Sequence, residues 1–201
     1  RILEIKARLG LHRANATTAL PVVPFRPSIS DADQARKIME DAITLVKDEK
    51  KIIPLKLAKT KKLLHLLIPD TPKWRPKPGS VFAAGLKRKH AGTTSMEVGK
   101  LASRKTIDRV LQTCRSVDVI VASVFVRVTS GKGTVELSPL QTELLKKLAA
   151  GPKPLVVVCF GSPYLLVTIP ELQEYMLTYE YYPEAEKAAV KALFGEMTPR
   201  G

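Results

Sequence analysis

Cysteine is almost absent from the chain: Cys114 and Cys159 stand far apart, in apolar surroundings and without metal-ligand spacing. A disulfide framework and a thiolate zinc site are therefore excluded, and two buried thiols are expected. Histidine is equally sparse. His12, His65 and His90 are isolated from one another and from any paired-ligand pattern, so neither a metal nor another cofactor is expected. No apolar run approaches the roughly 18 residues of a membrane-spanning helix. Aromatic residues make up 5% of the chain and do not interleave the basic runs Lys50-Lys51, Lys59 to Lys62 and Lys87-Arg88-Lys89. That pattern does not build a stacking platform for single-stranded nucleic acid. Acidic residues are outnumbered, 19 to 33, and the formal charge of +14 would attract an anionic partner. A solvated basic face is the simpler reading of this charge. The alternative is a basic binding module for an anionic wall polymer or a nucleic acid.

What is present reads as a folded α/β protein. Leu155 to Cys159, with three valines, lies between Gly151-Pro152 and Phe160-Gly161-Ser162-Pro163. A short continuous apolar run between turn signals reads as a strand buried on both faces, the kind found in parallel sheets covered by helices. Lys61 to Ile68 and Val119 to Val128 read the same way. Helices are predicted over 1–13, from Ser30 to Lys47, over Ser80 to Lys89, Leu101 to Cys114, from Ser138-Pro139 to Gly151, over Pro170 to Met176 and over Pro183 to Phe194. Short strands are predicted from His90 to Val98 and from Leu177 to Tyr182, and residues 14–29 form a proline-containing linker. The alternation of strands and helices implies a three-layer αβα sandwich with a mainly parallel, flavodoxin-like sheet of five or six strands.

Open sheets of this kind bind ligands outside the carboxyl ends of their strands. The loop after the Val119 strand, containing Ser130-Gly131-Lys132-Gly133-Thr134, lies there. It lacks the Gly-Lys-Ser/Thr spacing of a P-loop. Gly161-Ser162-Pro163 is only loosely like a nucleophile elbow, because Gly-x-Ser-x-Gly is absent. Asp70, Glu136 and Glu180 are the carboxylates near predicted strand ends, and no pair with glycosidase spacing stands out.

Three segments together resemble a known domain. They are Ala42 to Leu55 (AITLVKDEKKIIPL), the strand ending Phe160-Gly161-Ser162-Pro163-Tyr164, and Ala185 to Gly201 (AEKAAVKALFGEMTPRG). The combination is similar to the carboxyl-terminal α/β sandwich domain of glycoside hydrolase family 3, and residues 1–13 resemble the last helix of the barrel that precedes it. The resemblance implies three segments: a terminal barrel helix over 1–13, a linker over 14–29 and the sandwich over 30–201. It implies as partners an amino-terminal barrel domain of the same polypeptide and a carbohydrate substrate. Arg1 in place of an initiating methionine and the abrupt Pro199-Arg200-Gly201 fit a segment of a longer chain.

In that family the nucleophilic aspartate lies on the barrel, and nothing here matches its motif. The β-glucosidase branch places an acid/base glutamate on the loop matching Arg127 to Thr134, which contains no carboxylate. The β-N-acetylhexosaminidase branch uses a histidine–aspartate pair on the barrel, so the missing glutamate favours that branch. A place at the bacterial cell envelope or in secretion is the corresponding expectation. No catalytic residue is then expected in this chain. Arg127, Ser130, Lys132, Ser162 and Tyr164 are the candidates for the substrate cleft or the domain interface.

Overall fold

The computed structural model describes residues 1–12, 28–70, 77–126 and 137–201. The chain divides into two compact units, Arg1–Ala32 and Asp33–Gly201. The first contains helix α1 (Ile2–Arg8), which has no buried residue; Gly10 follows it at φ 70°. Helix α2 (Ile29–Asp41) spans the division and likewise buries nothing.

The second unit holds a six-stranded sheet in the order β1-β6-β5-β4-β2-β3. Its strands are β1 (Thr44–Asp48), β2 (Leu63–Pro69), β3 (Thr93–Glu97), β4 (Val119–Val126), β5 (Leu155–Gly161) and β6 (Glu174–Leu177). All neighbours are parallel except β1 and β6. Without the antiparallel edge strand β1, the order is the flavodoxin-like 2-1-3-4-5, and the winding reverses between β2 and β4.

Every residue of β2 and β4 is buried. Their side chains alternate between two cores. Leu64, Leu66, Ile68, Ile120, Ala122 and Val124 pack with α4 (Arg104–Cys114) and α5 (Pro139–Ala149). Leu63, Leu67, Val119, Val121 and Phe125 pack with α3 (Ser80–Lys89) and α7 (Pro183–Leu193). Helices thus cover both faces, and apolar character does not alternate along these strands because neither face meets water. The architecture is the expected three-layer sandwich. Cys114 and Cys159 are both buried free thiols, as expected, and burial pushes their pKa up, to about 11 and about 12.

Three predicted elements are corrected. The helix expected to continue to Lys47 stops at Asp41, and Thr44–Asp48 forms β1. Ala42, Ile43 and Val46 fit a helical period, but Ile43, Thr44 and Val46 are also β-branched, and antiparallel pairing with β6 decides the outcome. Ile43 is fully buried whereas Ile38, on the helix, is 62% exposed. The helix expected over Pro170 to Met176 is replaced by one turn, α6 (Leu165–Thr168), and the strand lies at Glu174–Leu177 rather than Leu177 to Tyr182. Glu174 disguises this strand, since a charged residue is unusual in a buried position. Its carboxylate accepts the backbone N–H of Lys50 at 3.2 Å, and burial holds its pKa above the ordinary value.

Candidate functional site

The carboxyl edge of the sheet is where the candidate site is built. At the reversal point, β2 and β4 run in register to Pro69 opposite Phe125, and the Asp70 N–H donates to the Phe125 carbonyl at 3.1 Å. β4 and β5 finish at Val126 opposite Gly161. There the Ser162 N–H donates to the Val126 carbonyl at 2.9 Å. Gly161 has φ 109°, and a Cβ at this position would lie 2.2 Å from the Val126 oxygen. The two chains can approach this closely only where one residue has no side chain. α5 begins at the same edge, with a capping box in which Ser138 and Gln141 satisfy each other's backbone N–H groups. The Gln141 side-chain amide also donates to the carbonyls of Pro69 at 3.0 Å and Val98 at 2.7 Å, tying the ends of β2 and β3 to the helix.

Of the sequence-derived candidates, Ser162 and Tyr164 lie together at the carboxyl end of β5. Ser162 is buried, and its hydroxyl accepts the Tyr164 N–H at 3.4 Å. Its carbonyl accepts the Cys159 thiol at 3.2 Å. A serine enclosed in this way is a turn residue rather than an accessible nucleophile. Tyr164, at the start of α6, is 63% exposed. Arg127, Ser130 and Lys132 lie outside the described residues, as do Glu136 and Trp74. Among the described residues, no group of three or more metal-ligating side chains comes together, and no helix is long and apolar enough to cross a membrane. Asp70 is half-buried at the end of β2, and Glu180 is half-buried after β6.

Comparison with solved structures places this geometry among known proteins. The chain superposes with a TM-score of 0.70 and 20% identity on a glycoside hydrolase family 3 β-N-acetylglucosaminidase from Paenibacillus sp. str. FPU-7, over 100% of its own length and 37% of that protein's. A fungal multi-domain GH3 β-N-acetylglucosaminidase is matched with a TM-score of 0.71 and 24% identity, over 85% of this chain and 18% of that one. The β-glucoside phosphorylase BglX is matched with a TM-score of 0.68 and 24% identity, over 100% and 36%. This chain has the fold of a segment of glycoside hydrolase family 3 proteins. It spans little more than a third of the length of the bacterial relative and less of the fungal one. No family model matches the sequence, and no curated protein matches it.

The carboxyl edge of this sheet is also held by a residue that sequence reading missed. Glu186, in the first turn of α7, is buried and reaches across to the start of α3. Its carboxylate accepts the N–H of Gly79 at 2.8 Å and of Phe82 at 2.7 Å. It thereby satisfies amides that a helix start leaves open and places negative charge at the positive end of α3. Burial still raises its pKa above the usual glutamate value. The available signal was position: Glu186 sits among Ala185, Ala188 and Ala189 in the packed part of α7. Glu186→Gln is expected to lower stability by about 2 kcal/mol, because an amide can accept at only one end and turns its NH2 toward a buried N–H. Urea denaturation at neutral pH measures this change. An unchanged midpoint would show that the clamp contributes nothing.

Proposed function

We propose that this chain is the carboxyl-terminal α/β sandwich domain of a family 3 glycoside hydrolase, with the barrel helix over 1–13, the linker over 14–29 and the sandwich over 30–201. The full polypeptide hydrolyses O-glycosyl bonds, and β-N-acetylhexosaminides are its substrate class. The observation that carries this reading is the likeness in fold to a family 3 β-N-acetylglucosaminidase over the entire chain, at a little over a third of that protein's length. The resemblance of the Phe160 to Tyr164 turn and of the Ala185 to Gly201 tail to the family's sequences supports the same domain.

In this reading the chain supplies no proton donor and no nucleophile. Its carboxyl edge faces the barrel of the same polypeptide and shapes the sugar cleft. Of the described candidates, Tyr164 is the exposed one, and its hydroxyphenyl ring can touch sugar or barrel; Arg127, Ser130 and Lys132 are proposed from the sequence for the same contact. Loss of the acid/base glutamate from that segment is compatible with catalysis only where the barrel carries the proton donor, which is why the amino-sugar branch is preferred.

The test compares the 201-residue chain with the polypeptide encoded by its complete reading frame, on chromogenic N-acetyl-β-glucosaminide and β-glucoside. The full polypeptide is expected to turn over the N-acetylated substrate, and the isolated chain neither. Turnover by the isolated chain that disappears in Glu136→Gln would overturn the reading. Preference of the full polypeptide for the plain glucoside would overturn the branch.

A further inference from the structure

The opposite, amino-terminal edge of the sheet carries a cleft that the proposed sugar chemistry does not use. It encloses about 570 Å³ between the segment after β1 and the starts of β4 and β5, within the range of small-ligand and peptide sites. Its floor is apolar, formed by Ile52, Leu55, Leu57 and Val119, and its rim carries Lys51, Lys56 and Lys61. The acid in the lining, Asp118, is already engaged: it pairs with Lys61 at 3.0 Å and accepts the Lys62 N–H at 2.8 Å. Those contacts, with the charge of Lys153 close by, hold its pKa below the ordinary aspartate value.

More basic residues lie along the same edge because of topology, although Lys89 among them is already paired with Glu196. Each crossover helix returns toward the amino edge, so the last turn of α3, with Lys87, Arg88 and Lys89, arrives beside β2, where the His90 ring contacts the Lys61 carbonyl at 2.6 Å. Basic residues in a last helical turn complement the helix dipole and need no further explanation. The lysines between β1 and β2 have no such dipole to complement. Lys50, Lys51, Lys56, Lys59, Lys61 and Lys62 fall within thirteen consecutive residues, and Lys50, Lys51, Lys56 and Lys59 are exposed. Lys51 also holds φ 54°, a conformation in which glycine or asparagine would be less strained.

We propose that this cleft is a docking site for an extended acidic protein segment carrying an apolar anchor side chain. The floor takes the anchor, and the lysine rim takes the flanking carboxylates. The floor decides the class of partner: a wall polyanion has no apolar group to place there, and a single-stranded nucleic acid needs an aromatic platform that the lining lacks.

Fluorescence anisotropy on the whole chain tests the proposal, with a labelled peptide of about ten alternating glutamates and leucines as the probe. An all-glutamate peptide of equal length and an oligothymidylate serve as competitors. The Glu/Leu peptide is expected to bind at least about tenfold more tightly than either competitor and to weaken about tenfold between roughly 50 and 200 mM salt. Lys51→Glu/Lys56→Glu, at exposed positions, should weaken it by about tenfold, whereas the equal charge change Lys105→Glu/Arg109→Glu on α4 should alter it less than about twofold. Equal binding of all three probes would overturn the peptide assignment in favour of a general polyanion face. No binding, or equal loss in both double variants, would overturn the site itself. The glycosidase assay is independent of every one of these outcomes.

Discussion

Gly161→Ala should lower the folding stability of this domain by about 3–5 kcal/mol, a large share of what a domain of this size has to lose. Two costs add. At φ 109° the backbone lies where an L side chain is rarely found, worth about 1–3 kcal/mol on its own. The new methyl would also sit 2.2 Å from the Val126 carbonyl oxygen, which is backbone of the neighbouring central strand and cannot rotate away. Relief requires β4 and β5 to separate at their carboxyl ends, and this breaks the Ser162 N–H contact to the same carbonyl. Phe125 and Phe160, stacked with centroids 4.5 Å apart immediately before the contact, would have to separate with them. The damage is therefore placed at the carboxyl edge. Gly99→Ala is the control, since Gly99 has ordinary φ and open space around its Cβ position, and its change should stay within about 0.5 kcal/mol. Urea midpoints of the two variants decide the matter. Equal stabilities would mean that the β4–β5 junction tolerates a side chain and that its tight turn is not required by the fold.

The same turn marks how far sequence reading reached. Leu155 to Cys159 and Val119 to Val126 were legible as central strands because burial on both faces leaves a one-dimensional signal, a continuous apolar run between turn residues. The Ser138-Pro139 start of α5 was legible for a similar reason, since proline in the first helical turn is a local signal; the Ser138–Gln141 capping box there was not read from the sequence. β1 and β6 were not legible in place: β1 has its strand partner in β6, more than a hundred residues away, and Thr44–Asp48 carries a helical period as well, while β6, paired with β5 and β1, starts on the buried charge of Glu174. Ser162 was correctly located at the end of β5, but its burial depends on the Val126 carbonyl and the start of α6, which no local pattern encodes. Glu186 escaped for the same reason: its partners, Gly79 and Phe82, lie more than a hundred positions away.

His65 shows what such hidden partners do to pH dependence. Its ring is buried in β2, with Nδ1 3.1 Å from the Ser95 hydroxyl and Nε2 2.8 Å from that of Ser123. Phe82 closes the α3 side at a ring distance of 5.5 Å. Burial holds the imidazole neutral, lowering its pKa from 6.5 to about 4. The unfolded chain takes up the proton near 6.5 and the folded chain only near 4, so the unfolded state binds more protons throughout that window. Stability is therefore fully present above the window and falls as pH drops through it, by about 2–3 kcal/mol at pH 4.5. Glu174 and Glu186 act in the opposite sense. Their folded pKa values are raised, so the folded state holds more protons above the ordinary glutamate range, and stability falls as pH rises through that interval. The total curve mixes the two slopes, and a wild-type titration alone would understate the histidine. His65→Gln removes one slope and leaves the carboxylates in place. Denaturation of both proteins at pH 7.5 and 4.5 should give a wild-type loss exceeding that of His65→Gln by about 2–3 kcal/mol. Equal losses would mean that the imidazole accepts its proton in the folded protein, which would require the β2–β4 core to admit water between Ser95 and Ser123.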